Sequence, residues 1–210
     1  MLSFILTLRM TLTFFLAFAL TLSERIETGN NDATLISELQ TQMRGLPLQA
    51  SSTLTAKQDE LDKLGTELWN QATRLRRKDE SDIDAKSEDA TAHKFHILPF
   101  LRAYAFMLLD SAGGRGPKGR QRKNCIRLIK VALKTARVCI EGNELGIATK
   151  VLERAADYED VLGKRDEGGD ERDGELADGF RAQYFAVRTT LVSELSDATP
   201  LRCAIELTYV

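Results

Sequence analysis

"LDKLGTELWNQATRLRR", Leu61–Arg77, carries four leucines at helical spacing together with a cluster of arginines. At 100° per residue Leu54, Leu61, Leu64, Leu68, Ala72 and Leu75 fall within a stripe of roughly 80°, the pattern of a helix packed on one side. A helix is therefore expected over about 54–78, with Trp69, the single tryptophan of the chain, on the flank of its apolar stripe. Asp59, Glu60, Asp62 and Glu67 come early and Arg74, Arg76, Arg77 and Lys78 late, so the charges complement the helix dipole at both ends. A glycine inside a helix costs about 1 kcal/mol relative to alanine. The place of Gly65 beside Leu61 and Leu68 thus predicts the close approach of a neighbouring backbone.

Working outward, four more helices are expected. The polar stretch Asp79–His93 reads as a loop, followed by a helix over about 95–111 with Phe95, Leu98, Leu101, Ala105, Leu108 and Leu109 apolar and Pro99 in its first turn. The glycine-rich, basic "GGRGPKGRQRKN", Gly113–Asn124, breaks the pattern. Asn124 reads as the N-cap of a third helix, Cys125–Glu141, which Gly142 ends; a fourth spans about 144–162 and a fifth about 176–195. Across Gly142, the second helix of the pair carries Ala148, Leu152 and Ala155 at the spacing of a tetratricopeptide hairpin, with Ala136 at the small position of the first. The expected fold is all-α, with antiparallel helix hairpins stacked as a short tetratricopeptide-like solenoid. Its expected core includes Leu61, Leu64, Leu68, Trp69, Leu133, Ala136, Ala148, Leu152 and Ala155.

The ends read differently. Met10–Ser23 is free of charge, follows Arg9 and contains the small-x-small Ala17-Phe18-Ala19, so residues 1–28 form an apolar leader, either signal-like or the product of a misassigned start. Its fourteen uncharged residues span only about 21 Å against a hydrocarbon core of roughly 30 Å, which disfavours a membrane span. Residues 29–52 read as a linker or arm with one short apolar helix candidate around Leu35 to Met43, stopped by Gly45 and Pro47, residues 53–195 as the helical-repeat domain and 196–210 as an irregular tail.

Chemistry is sparse. His93 and His96 are the only histidines, and a metal on them would need carboxylates from elsewhere. Cys125, Cys139 and Cys203 have no zinc-like or C-x-x-C spacing and read as reduced thiols acting as small hydrophobes. No nucleophile elbow or phosphate-binding glycine turn is present, so no enzyme, cofactor or metal is expected. Twenty-nine basic against thirty-one acidic residues leave a net charge of −2, too small to draw the whole molecule onto nucleic acid or an acidic membrane. Locally, Arg127, Lys130, Lys134 and Arg137 line the polar face of the third helix, a solvated face by default and otherwise a contact for an acidic partner or a phosphate backbone. No aromatic residue is interleaved with them to stack a base, which disfavours direct DNA binding.

Four stretches, "KQDELDKLGTELWNQATRLRR", "LPFLRAYAFMLLDSA", "NCIRLIKVALKTARVCIEGNELGIATKVLERAADY" and "FRAQYFAVRTTL", resemble in order the amino-terminal part of the fungal sporulation-specific meiosis family called Spo-twenty-two or Zip-four. The likeness covers about 35–191, and "LGTELWN" is its most specific piece. It implies a tetratricopeptide-like helical scaffold of the meiotic nucleus that binds other chromosome-axis and crossover proteins and promotes synaptonemal-complex assembly. Family chains are several times longer, and the apolar start and the sequence after Leu191 depart from them. Both ends are therefore expected to be artefacts of the reading frame or marks of a truncated copy. The competing class is a secreted or membrane-tethered helical protein, and it rests on the first twenty-three residues alone.

Overall fold

The computed structural model describes residues 2–28, 33–48, 51–82, 88–113, 122–164 and 171–207, and among them the chain is entirely helical. The helices are α1 (Leu2–Glu27), α2 (Ala33–Met43), α3 (Ser52–Ala56), α4 (Gln58–Asp82), α5 (Glu88–Gly113), α6 (Arg122–Glu141), α7 (Leu145–Gly163) and α8 (Glu171–Leu207). They divide into two compact units, Met1–Asn124 and Cys125–Val210.

In the first unit α5 is the centre. Every residue from Ile97 to Ala112 is buried. The segment "ILPFLRAYAFMLLDSA" carries only one arginine and one aspartate, and a helix apolar on all sides is stable only when covered on all sides. Pro99 lies inside this helix rather than in its first turn, because α5 starts at Glu88. Much of the expected loop over 79–93 is thus helical, with α4 running to Asp82.

The opening stretch forms most of α4. Leu61, Leu64, Leu68 and Ala72 are buried, while Leu54 belongs to a separate short helix, α3, capped by the Ser51 hydroxyl accepting from the Leu54 N–H at 3.1 Å. The break falls at Lys57, the C-cap of α3. α4 and α5 run antiparallel, since Gly65 lies against Ala105 and Leu109 while Trp69 and Thr73 meet Arg102. A Cβ at Gly65 would stand 2.9 Å from Leu109 Cγ and 3.2 Å from the Ala105 carbonyl oxygen. This is the backbone approach that the glycine predicts.

Trp69 is half-buried, not fully enclosed, because its ring forms a lid over the buried Arg102, whose guanidinium carbon sits 4.7 Å from the ring centroid. Trp69→Ala is expected to cost about 2 to 4 kcal/mol from lost apolar burial and cation–π attraction together. Chemical denaturation followed by circular dichroism measures it, and an unchanged midpoint would mean that the ring carries none of the packing.

The leader and the arm are helices of this unit. Leu12, Phe15, Leu16, Ala19, Leu22 and Ile26 recur every three or four residues on one face of α1 and are all buried. The Phe18 and Tyr104 rings meet edge to face at 5.5 Å, and the Tyr104 hydroxyl donates to the Phe15 carbonyl at 3.3 Å. The Gln71 amide donates to Ser23 Oγ at 2.6 Å and to Glu27 Oε1 at 3.1 Å, tying α4 to α1. Leu12 and Leu16 flank α3, just ahead of α4, and Ser23 and Glu27 meet Gln71, so α1 and α4 run in the same direction. α2 returns antiparallel to α1: Arg25 pairs with Glu38 at 2.6 Å, and Phe15 lies against Gly45 beyond the end of α2. α2 packs on α5, and past its end the Leu48 N–H donates to Ser111 Oγ at 3.0 Å.

Burial pushes the Tyr104 phenol well above its ordinary value. The native state therefore keeps a proton that the unfolded chain releases above about pH 10, so stability falls as pH rises past that point. Relative to Tyr104→Phe, the wild-type protein is expected to lose about 1.4 kcal/mol per pH unit above pH 10 and nothing below it. Urea melts of the two proteins from pH 8 to 11 check this, and parallel pH profiles would contradict it.

In the second unit α6 buries Cys125, Leu128, Ile129, Ala132, Leu133, Thr135, Ala136, Val138 and Cys139. Asn124 sits inside the first turn of α6 instead of capping it, and its side-chain amide donates to the Gly113 carbonyl at 3.0 Å within the first unit. α6 ends at Glu141, as expected, and the left-handed residue beyond it is Asn143 rather than Gly142. Asn143 takes the left-handed conformation at φ 58, with its N–H on the Ile140 carbonyl and the Glu144 N–H on the Cys139 carbonyl. That pair of bonds is the Schellman arrangement, and asparagine is the residue after glycine best able to adopt it. On α7, Ala148, Val151, Leu152, Ala155, Tyr158 and Leu162 are buried. α8 packs on α7 through Ala177, Tyr184, Val187 and Leu191, with Arg181 Nε donating to Glu159 at 2.7 Å. It continues to Leu207, so residues 196–207 are helical rather than irregular.

Candidate functional site

A row of exposed basic side chains lies on α6. Arg127, Lys130, Lys134 and Arg137 are all exposed, and at 100° per residue they share an arc of roughly 80° opposite the buried face. From first to last the row is about 15 Å long. Ile126 and Val131, both half-buried, lie at its two margins, and the exposed carboxylate of Glu141 stands on the same line one turn beyond Arg137. Among the described residues no carboxylate pairs with Lys130 or Lys134, while Arg137 donates to the Gln183 amide oxygen of α8 at 3.3 Å.

The other residues singled out by sequence serve packing. Leu133, Ala136, Ala148, Leu152 and Ala155 are buried in the second unit, as Leu61, Leu64 and Leu68 are in the first. Cys125 and Cys139 are buried and in no disulfide. The side chains of His93, His96 and Cys203 lie outside the described residues, as does most of the basic loop over 114–121. Among the described residues no three His, Cys, Asp or Glu side chains converge to hold a metal ion.

An open groove of about 550 Å³ lies between α1 and α3, lined by Leu12, Thr13, Leu16, Ser52, Thr53, Ala56 and Lys57. Among the described residues its one titratable lining group, Lys57, pairs with Glu60, so these residues offer no acid and base to pair across a substrate. Phe185 and Val192 on α8 and Phe14 and Leu20 on α1 are large apolar side chains left exposed. Sequence periodicity misses these because they sit outside the stripes it detects. No helix among the described residues is long and apolar enough to cross a membrane.

Comparison with known protein families, with curated proteins and with solved structures returns no match. What α6 presents must therefore be weighed on its own chemistry. A row of cations with aliphatic margins attracts anions and fixes a helix-sized surface, and it offers neither a nucleophile nor a proton-transfer pair.

Proposed function

We propose that this chain is a non-enzymatic protein-binding scaffold and that it works as the amino-terminal part of a meiotic crossover and synaptonemal-complex assembly factor of the kind it resembles. The observation that carries the scaffold reading is the arrangement of the first unit. There α1 and α2 form one antiparallel pair, α4 and α5 form the next, α1 runs parallel to α4, and α2 packs on α5. Successive hairpins related in this way are how tetratricopeptide-like stacks are built, and such stacks act by offering a surface to a peptide or helix of another protein. The fully buried Ala136, Ala148 and Ala155 supply the same small-residue spacing in the second unit.

The meiotic setting rests on the four stretches quoted above, and it implies a nuclear, chromosome-associated protein whose partners are other axis or crossover factors. Carboxy-terminally tagged protein in cells entering meiosis is expected on spread chromosomes, together with axis proteins recovered at high salt. Coincidence with secretory-pathway markers and absence from chromosomes would favour the reading in which the charge-free segment over 10–23 directs export.

A further inference from the structure

We infer that the outward face of α1 pairs with the same face of a second copy of this chain, antiparallel and about a two-fold axis at Ala17. Thr13, Phe14, Ala17, Leu20, Thr21 and Glu24 are exposed and lie within about 60° on either side of Ala17. Phe14 and Leu20 are 58% and 51% exposed, and no charged residue lies between Arg9 and Glu24. The Thr21 hydroxyl donates back to the Ala17 and Phe18 carbonyls at 3.1 and 3.0 Å, so its methyl group can be covered without stranding a donor.

The order of these residues points to a second copy. Phe14 and Leu20 stand three residues from Ala17 on opposite sides, and Thr13 and Thr21 stand four residues from it. A two-fold contact needs a patch complementary to itself, and between antiparallel helices it sets each flank against the same flank of the other copy. Alanine then meets alanine at the axis, where small side chains let two helices approach closely. On one flank, Leu20 of the second copy arrives about 4.5 Å along the helix from Ala17, level with the gap between Leu12 and Leu16 in the open groove beside Thr13. On the other flank, Phe14 of the second copy comes to Thr21 and the half-buried Phe18.

Glu24 decides the direction. Parallel pairing would set two exposed Glu24 carboxylates side by side, whereas the antiparallel pair holds them about 21 Å apart, well beyond the roughly 8 Å screening length at physiological salt. A bilayer would take the same apolar side chains in any order and would make no use of the mirror spacing about Ala17. The contact runs along about 12 Å of helix, which places the pair at the small, transient end of protein interfaces.

Sedimentation equilibrium of the full chain is expected to show its average mass rising from one chain towards two between about 5 and 500 µM. Ala17 is exposed, so Ala17→Glu and Ala17→Lys are expected to keep the wild-type circular dichroism. Each alone sets like charges at the axis and is expected to associate at least about tenfold more weakly. Their equimolar mixture is expected to regain the wild-type association, because this pairing sets residue 17 against residue 17. If charge at Ala17 unsettles the helix, Leu20→Ser, which empties the groove, is expected to give the same loss. A chain that stays monomeric throughout, variants that associate as the wild type does, or a mixture no tighter than its parts overturns the proposal. So does Ala17-dependent co-sedimentation of a monomeric chain with phosphatidylcholine vesicles, which gives the face to lipid. None of these outcomes bears on the meiotic reading, which the chromosome spreads decide.

Discussion

A chain lacking residues 1–23 is expected to lose the cooperative unfolding of its first unit. Leu12, Phe15, Leu16 and Leu22 are each at most 7% exposed, and burying four side chains of this size contributes about 6 to 12 kcal/mol as an upper estimate. A domain's whole margin is only about 5 to 15 kcal/mol. The truncation also uncovers Tyr104 and removes the Ser23 hydroxyl that accepts from Gln71. Trp69 is the single tryptophan and lies in this unit, so its fluorescence reports the loss without interference from the second unit. The expected record is an emission already shifted to the red in buffer and no denaturant transition. A truncated protein with the full-length midpoint would show that α1 contributes nothing to the packing, and the stack of two hairpins would fall with it.

The second large effect is expected at Gly65. Valine there places its Cβ 2.9 Å from Leu109 Cγ, and the Ala105 carbonyl at 3.2 Å is backbone that yields only if α5 moves. Overpacking of this kind costs about 1 to 3 kcal/mol, and the valine side chain reaches further than its Cβ, so the expected loss is about 3 kcal/mol. Gly65→Ala meets the same contacts with less bulk and regains about 1 kcal/mol of helix propensity, so its loss is expected to be much smaller. The matching control is Gly179→Ala on α8, where a Cβ meets nothing within 4 Å and the second unit is expected to gain about 0.5 to 1 kcal/mol. Equal midpoints for Gly65→Val and wild type would mean that the two helices do not approach as closely as described.

These two sites mark what sequence can and cannot reveal. Leu61, Leu64 and Leu68 are legible because α4 buries one face only, so the period of 3.6 is written in the residues themselves. Gly65 is legible for the same reason, as a costly residue in the middle of the buried stripe. α5 is less so: with every residue from Ile97 to Ala112 buried, including Arg102, Asp110 and Ser111, there is no polar face to give the alternation its contrast. The packing of α1 is illegible locally. A charge-free run states that it must be covered but not by what, and one of the residues that meets α1 is Tyr104, whose hydroxyl donates to the Phe15 carbonyl from 89 positions away. The exposed row on α6 follows from spacing alone, since four cations on one arc cannot all be buried. The end of α6 at Glu141 is legible from Gly142, whereas the residue that takes the left-handed turn is the adjacent Asn143, since glycine and asparagine both tolerate it.

The separation between Phe15 and Tyr104 also sets a clock. At about 5 to 20 residues per second, synthesis takes roughly 4 to 18 s to travel from one to the other. For that interval α2, α3 and α4 are made but the α5 residue that meets Phe15 and Phe18 is not. The packing of α1 against α5 is therefore completed only late in the synthesis of the first unit. A run of synonymous rare codons between residues 28 and 104 lengthens the wait without changing an atom of the product.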